Sequence, residues 1–237
     1  MKHLILWLSI IVLPATLSAQ DLYQYRGKVF SPEDFSQYKK QRLDNFRERS
    51  NSSEVAFKET VIRVFESSGK TVYEVDLNML VGKRLIKKMQ QQEQLMNLDF
   101  PIEQLAAVAN KPALKKYRGK PMLVNFWSTT CPPCLKEIPL LHQIKDSLGD
   151  EVVFIAVTRD KQEKIDKFLS KKAFNFIHVT EADAFMNELG ITAYPQNFFI
   201  DRNGKIRTIE GALKYTNKSD KIADLHRGQI LFGILRP

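Results

Sequence analysis

Cysteine is scarce in this sequence: 237 residues carry two, Cys131 and Cys134, both inside the stretch WSTTCPPCLKE. That excludes a framework of disulfides stapling distant parts of a small fold, which needs a larger, well-spaced set. Histidine is sparse as well, and His142, His178 and His226 do not fall at the short spacing of a zinc finger. The cysteine pair therefore lacks the two further ligands of a tetrahedral zinc, and no metal or cofactor is expected. Long apolar runs are missing too. The first, Leu4 to Leu13, is shorter than the roughly 20 residues a membrane-spanning helix needs, and no later segment reads as spanning. Acidic residues are outnumbered, giving a formal charge of +9, but the excess is scattered over Lys39-Lys40, Lys87-Lys88, Lys115 to Lys120 and Lys161 to Lys172. Scattered positive charge reads as a solvated surface, so no nucleic-acid partner is expected.

What is present begins with MKHLILWLSIIVLPATLSAQ: a basic start at Lys2, an apolar run, a breaker at Pro14 and then small or polar residues. This is the build of a secretory signal, residues 1–19, cleaved near Ala19; Leu17 stands where a small residue is usual, so an uncleaved anchor is the alternative. Either way the working part is exported. In an oxidising compartment a structural disulfide stabilises most when it closes a long loop, whereas a bridge across two residues closes almost none. A chemical use for the cysteine pair is the better explanation.

Residues 20–96 read as a small α+β unit. Ser31-Pro32-Glu33-Asp34 has the order of a helix start, with a hydroxyl cap, a proline at the first helical position and acids in the first turn. Phe35, Tyr38, Leu43 and Phe46 suggest one apolar side as far as about Arg49. Tyr73, Val75, Leu77 and Met79 alternate with polar residues as a half-buried strand does, and Ser67-Ser68-Gly69-Lys70 reads as a hairpin turn. Val81, Leu85, Met89, Gln92 and Met96 return to helical spacing, with QQQEQ as an exposed helix face.

From about Asn97 to Pro237 the pattern changes. PMLVNFW and VVFIAVT are nearly continuous apolar runs, as in strands covered on both faces of a parallel arrangement. Between them Cys134, Ile138, Leu141, Ile144 and Leu148 share a helical stripe, in a helix where Pro139 predicts a kink. Helices are expected around Ile165 to Leu169 and Phe185 to Leu189, then NFFID, the turn Asp201 to Gly204 and KIRTIEG, and a final amphipathic helix from Ser219 to Leu235. The class is α/β with a mixed sheet.

In this order Cys131 falls where a buried strand has ended and a helix begins. Unpaired N–H groups and the positive end of the helix dipole favour a thiolate there, making Cys131 the nucleophile. Cys134, one turn further on the buried side, is placed to attack a mixed disulfide on Cys131. Pro132 and Pro133 lack N–H groups, so the backbone N–H of Cys134 is the nearest local donor to the thiolate, a poise expected to favour the disulfide and make the dithiol a better reductant.

VNFWSTTCPPCLKEIP, GITAYPQNFFIDRNGKI and YRGKP together resemble the TlpA/ResA-like thioredoxin-fold thiol-disulfide oxidoreductases of bacterial envelopes, over roughly residues 97 to 215. The resemblance implies a thioredoxin-like mixed sheet flanked by helices, Cys131 and Cys134 as the redox-active disulfide, and a cis-proline at Pro195. Next to it, the backbone at Tyr194 would offer edge hydrogen bonds to an extended substrate. It further implies that Glu137 moves protons to or from Cys134, and that Trp127 is a wall of the site; Trp127 reads equally as core. Glu137 on its own also reads as a solvated helix acid. Two positions depart from the family: Thr130 stands where an aromatic often precedes the first cysteine, and Gln196 where threonine commonly follows the proline. Residues 20–96 match no motif.

The implied function is an exported, periplasmic or otherwise extracytoplasmic, thiol-disulfide oxidoreductase that reduces disulfide-containing envelope proteins and is re-reduced by a membrane electron donor. The alternatives are an oxidase or isomerase using the same dithiol, and a non-enzymatic module that binds a partner or a soft metal such as Cu(I).

Overall fold

The computed structural model describes residues 21–50 and 52–213. The expected signal segment, His226 and the expected helix from Ser219 to Leu235 lie outside the described residues. Two compact units change over between Gln94 and Leu95. Among the described residues, no helix is long and apolar enough to cross a membrane.

In the first unit, β1 (Leu22–Tyr25) and β2 (Lys28–Phe30) form a hairpin, followed by α1 (Pro32–Ser50), β3 (Val55–Ser67), β4 (Lys70–Val81) and α2 (Lys83–Leu95). The sheet order is β2-β1-β4-β3, with β1 and β4 parallel and the other pairs antiparallel. The hydroxyl of Ser31 starts α1 as its sequence predicts, accepting the N–H of Asp34 at 3.1 Å and donating to the Asp34 carboxylate at 2.9 Å. Between β3 and β4, Ser68 and Gly69 both take positive φ, 52° and 74°, which a two-residue hairpin turn requires. The core is small and aromatic: Tyr23, Tyr25, Phe35, Val75 and Leu77, with Tyr23 stacked on Phe35 at 4.8 Å. Of the expected apolar side of α1, only Phe35 is buried. No residue of α2 is buried, and Leu85 is 49% exposed.

The second unit contains α3 (Ile102–Val108), β5 (Met122–Phe126), α4 (Pro132–Leu148), β6 (Val153–Val157), α5 (Gln162–Leu169), β7 (Ile177–Val179), α6 (Asp183–Glu188), β8 (Gln196–Ile200) and β9 (Ile206–Glu210). The strands run in the order β7-β6-β5-β8-β9. β5, β6 and β7 are mutually parallel, and β8 and β9 are antiparallel to their neighbours. The mixed sheet flanked by helices is the architecture that the apolar runs and the helical stripe predict; α3 and β7 are additional to that reading. Every residue of β5, β6 and β8 is buried. Strand alternation sorts these residues by face. Met122, Val124, Phe126, Phe198 and Ile200 enter one cluster with Leu105 of α3 and Phe185 of α6. Leu123, Asn125, Asn197 and Phe199 point to the other face. Pro139 lies inside α4, on its exposed side.

Candidate functional site

The end of β5 delivers the chain into a short loop, Ser128-Thr129-Thr130, that α4 follows directly. Cys131 is the N-cap of α4, in extended backbone conformation, and Pro132 and Pro133 occupy the first helical positions. Cys131 and Cys134 are disulfide-bonded, with their Cα atoms 5.3 Å apart. Cys131 is half-buried and Cys134 is 1% exposed, so the pair is asymmetric in reach. The N–H of Cys134 lies 3.3 Å from the Cys131 sulfur, the donor left once the two prolines have removed theirs.

Asp160, just after β6, holds the loop. Its carboxylate accepts the Thr129 N–H at 2.7 Å, the Thr129 hydroxyl at 2.9 Å and the Ser128 hydroxyl at 3.1 Å, and pairs with Lys164 at 2.7 Å. Burial pushes this carboxyl up, but Lys164 and the loop donors outweigh burial and hold it below the usual range. Thr130, at the position where the family often has an aromatic, is exposed.

The Tyr194–Pro195 peptide is cis. Pro195 is buried and Tyr194 half-buried. Arg159, beside Asp160, donates through Nε to the Tyr194 hydroxyl at 2.9 Å and through a terminal nitrogen to the Ile191 carbonyl at 3.0 Å, so the end of β6 secures this loop as well. Gln196 is buried at 3% exposure and turns its amide back onto the Ala193 carbonyl at 3.1 Å.

Glu137 is buried at 1% exposure, one helical turn beyond Cys134. Its Oε1 accepts from the Asn125 amide at 2.8 Å, and its Oε2 accepts from the Asn197 amide at 3.2 Å and from the Leu213 N–H at 2.8 Å. The reading of Glu137 as a solvated helix acid is therefore excluded. Burial pushes its carboxyl up, the three donors pull it back, and it settles at about 7.

Trp127 is fully buried, edge-on to Phe168 and Phe174 at ring distances of 5.1 and 4.9 Å. At 0% exposure it offers no surface to a substrate in this state. The two histidines among the described residues have packing roles: His142 accepts the Asn175 N–H at 3.1 Å, and His178, whose pKa is pushed down chiefly by burial, bonds the Phe174 carbonyl at 2.8 Å. Among the described residues no group of three or more His, Cys, Asp or Glu could hold a metal ion.

Four residues of this neighbourhood escaped the sequence reading: Asn125, Asn197, Arg159 and Asp160. Asn125 and Asn197 did leave a signal, an amide inside each of two otherwise apolar runs.

Residues 94–224 match the family described as Redoxin. A thiol-disulfide oxidoreductase ResA of Geobacillus thermodenitrificans is 32% identical over 115 residues, 47% of this chain and 64% of the relative, so less than two thirds of that protein's length is spanned. A thioredoxin-like protein YneN of Bacillus subtilis is 25% identical over 131 residues, 54% of this chain and 76% of the relative. Among solved structures, a putative thiol:disulfide interchange protein DsbE from Chlorobium tepidum aligns with a TM-score of 0.43 and 24% identity, covering 51% of this chain and 84% of that one. A secreted disulfide oxidoreductase of Mycobacterium tuberculosis aligns with a TM-score of 0.40 and 24% identity, covering 49% and 86%. The matched segment takes in more than half of the sequence, together with the disulfide, the cis-proline and Glu137, and the chain belongs to the Redoxin family.

Proposed function

We propose that this chain is an exported thiol-disulfide oxidoreductase that reduces disulfides of envelope proteins. The observation that carries the reading is the asymmetry of the disulfide: one sulfur partly open at a helix start, the other buried behind it, and a buried carboxyl one turn further on. The named relatives with thiol-disulfide chemistry support it, as does the opening sequence, which has the build of a secretory signal or anchor and argues for a periplasmic or other extracytoplasmic place.

In the reduced protein, the Cys131 thiolate attacks a client disulfide. One new S–S bond forms, the client's own breaks, and the first client sulfur leaves as a thiolate that takes a proton from water. The Cys134 thiol gives its proton to the Glu137 carboxylate, and the resulting thiolate attacks the Cys131 sulfur. The mixed disulfide breaks, the second client sulfur leaves, and the protein holds the Cys131–Cys134 bond. Two electrons have passed to the client, and a thiol donor at the membrane must return two to the protein. The backbone at Tyr194, next to the cis-proline, is the edge along which an extended client segment would pair. The two prolines support that direction: a single backbone donor near the Cys131 sulfur would stabilise its thiolate less than several, which would favour the disulfide and make the dithiol reducing.

A Cys134→Ala variant tests the reading. It is expected to stall as a mixed disulfide with its client, identifiable by mass spectrometry, while wild type reduces insulin and Cys131→Ser does not. Equal insulin reduction by wild type and Cys131→Ser would reject catalysis, and an equilibrium with glutathione showing a strongly oxidising dithiol would reverse the direction.

A further inference from the structure

Asn125 and Asn197 sit directly opposite each other in the β5–β8 ladder, at 1% and 0% exposure. An amide buried in mid-strand is poorly suited to its place, because it loses water and packs less well than a branched apolar residue. Here each amide uses both of its hydrogens. Asn125 Nδ2 donates to Glu137 Oε1 and to Asn197 Oδ1, each at 2.8 Å. Asn197 Nδ2 donates to Glu137 Oε2 at 3.2 Å and to the Gly211 carbonyl at 3.0 Å. Turning either amide over would set carbonyl oxygen against carboxylate oxygen, so the orientation of both is determined.

The carboxylate is held equally specifically. Oε2 accepts twice, from Asn197 and from the Leu213 N–H, while Oε1 accepts once, from Asn125. A carboxylate offers about two acceptor positions per oxygen, so among the described residues the unfilled one belongs to Oε1. Among the described residues no cation pairs with Glu137, and its partners are neutral donors. Among the described residues, the titratable groups on the elements around it are Cys134, on the buried side of α4, and Glu210 of β9, which lies in register with Asn197 and accepts from the Thr208 hydroxyl at 3.3 Å; β5 and β8 present the two asparagines.

We propose that Asn125 and Asn197 form a cross-strand clamp that grips Glu137 by both carboxylate oxygens and leaves Oε1 as the atom that takes the proton of Cys134. Both asparagines are positioning residues, and the inference rests on the assignment of Glu137 as the acceptor of that proton. In the step, the Cys134 S–H bond breaks, the proton goes to Oε1, and the electron pair stays on sulfur to form the bond to Cys131. Asn197 follows Pro195 by two residues, so the same clamp also secures the strand that carries the cis-proline.

The test uses the reduced full chain, loaded at Cys131 as a mixed disulfide with 5-thio-2-nitrobenzoate, whose release by Cys134 is followed as a function of pH. The Glu137 carboxyl is titrated in parallel by carbon-13 NMR. Wild type is expected to show an acidic limb in the release rate that coincides with the carboxyl midpoint, and Glu137→Gln to lack it. Asn197→Leu removes a donor to the charged form, so limb and midpoint are expected to move together to higher pH by about one unit, a tenfold change in proton affinity. Asn197→Thr keeps a donor of shorter reach; it is expected to fall between, and it carries the test if the leucine variant does not fold. A limb that stays in place in folded Asn197→Leu or Asn197→Thr, or a rate lowered by the same factor at every pH, overturns the clamp. A wild-type limb in Glu137→Gln would instead show that Glu137 is not the proton's acceptor, and the clamp would fall with that reading.

Discussion

The two sheets of this chain treat charge in opposite ways. In the first unit, ionisable groups meet one another at the rim: Lys39 pairs with Glu59 at 2.6 Å while both side chains keep about a quarter or more of their surface, 30% and 26%. In the second unit, a carboxyl is buried at 1% exposure against neutral amides, with no cation among the described residues. The difference follows from burial. β4 is covered only in part, with Val72, Val75 and Leu77 buried, whereas β5, β6 and β8 are covered throughout. A sheet covered on both faces supplies a dry site where burial raises an acid toward neutrality and suits it to carry a proton. The second unit has the means for chemistry, and the first, with its small aromatic core, has no comparable group among the described residues.

The largest expected effect would break this comparison if it spread. Phe35→Ala removes the best-buried ring of the first unit, and large-to-small changes of this kind cost about 3–5 kcal/mol. The loss should appear in chemical denaturation, while the alkylation rate of Cys131 in the folded, reduced variant stays at the wild-type value. A matching fall in thiol reactivity would mean that the first unit shapes the site.

A somewhat smaller effect sharpens the contrast. The Glu137 carboxyl is raised from 4.5 to about 7, so the folded state binds its proton more tightly than the unfolded chain does. Its contribution to stability is then fully present below pH 4.5 and is lost as pH rises to about 7. At 1.36 kcal/mol per unit this amounts to about 3 kcal/mol. Urea unfolding should show wild type losing stability relative to Glu137→Gln across that window, and parallel profiles would refute the burial account.

The smallest effect returns to the first unit, to a local device at its surface. Ser31→Ala deletes the cap of α1 and should cost about 1 kcal/mol in the same unfolding experiment. A change below a few tenths would show that the water outside replaces the hydroxyl fully.

Much of this was legible from residue order. Ser31-Pro32 marked a helix start, Ser68-Gly69 a turn, and the apolar runs around Asn125 and Ile155 strands covered on both faces, because these signals are local. Cys131 and Cys134 were legible for the same reason. Other features depend on contacts between distant residues. Glu137 could be read as a solvated acid because its partners lie 12, 60 and 76 positions away. Trp127 read equally as a wall of the site and as core; it is fully buried, with Phe168 and Phe174 edge-on to its ring, contacts that no local pattern reveals. The helical spacing of α2 was real and still left no residue buried, since periodicity reports a face and not what covers it.

The central claim is that Cys131 is an acidic, reachable thiol at the start of α4. Alkylation of the reduced protein across a pH series, with the modified residue identified by peptide mapping, tests it most directly. The account predicts that Cys131 reacts first, with a midpoint well below the value of about 8.5 for an ordinary cysteine, while Cys134 stays protected. A Cys131 that titrates like a free thiol, or that reacts no faster than Cys134, would contradict it.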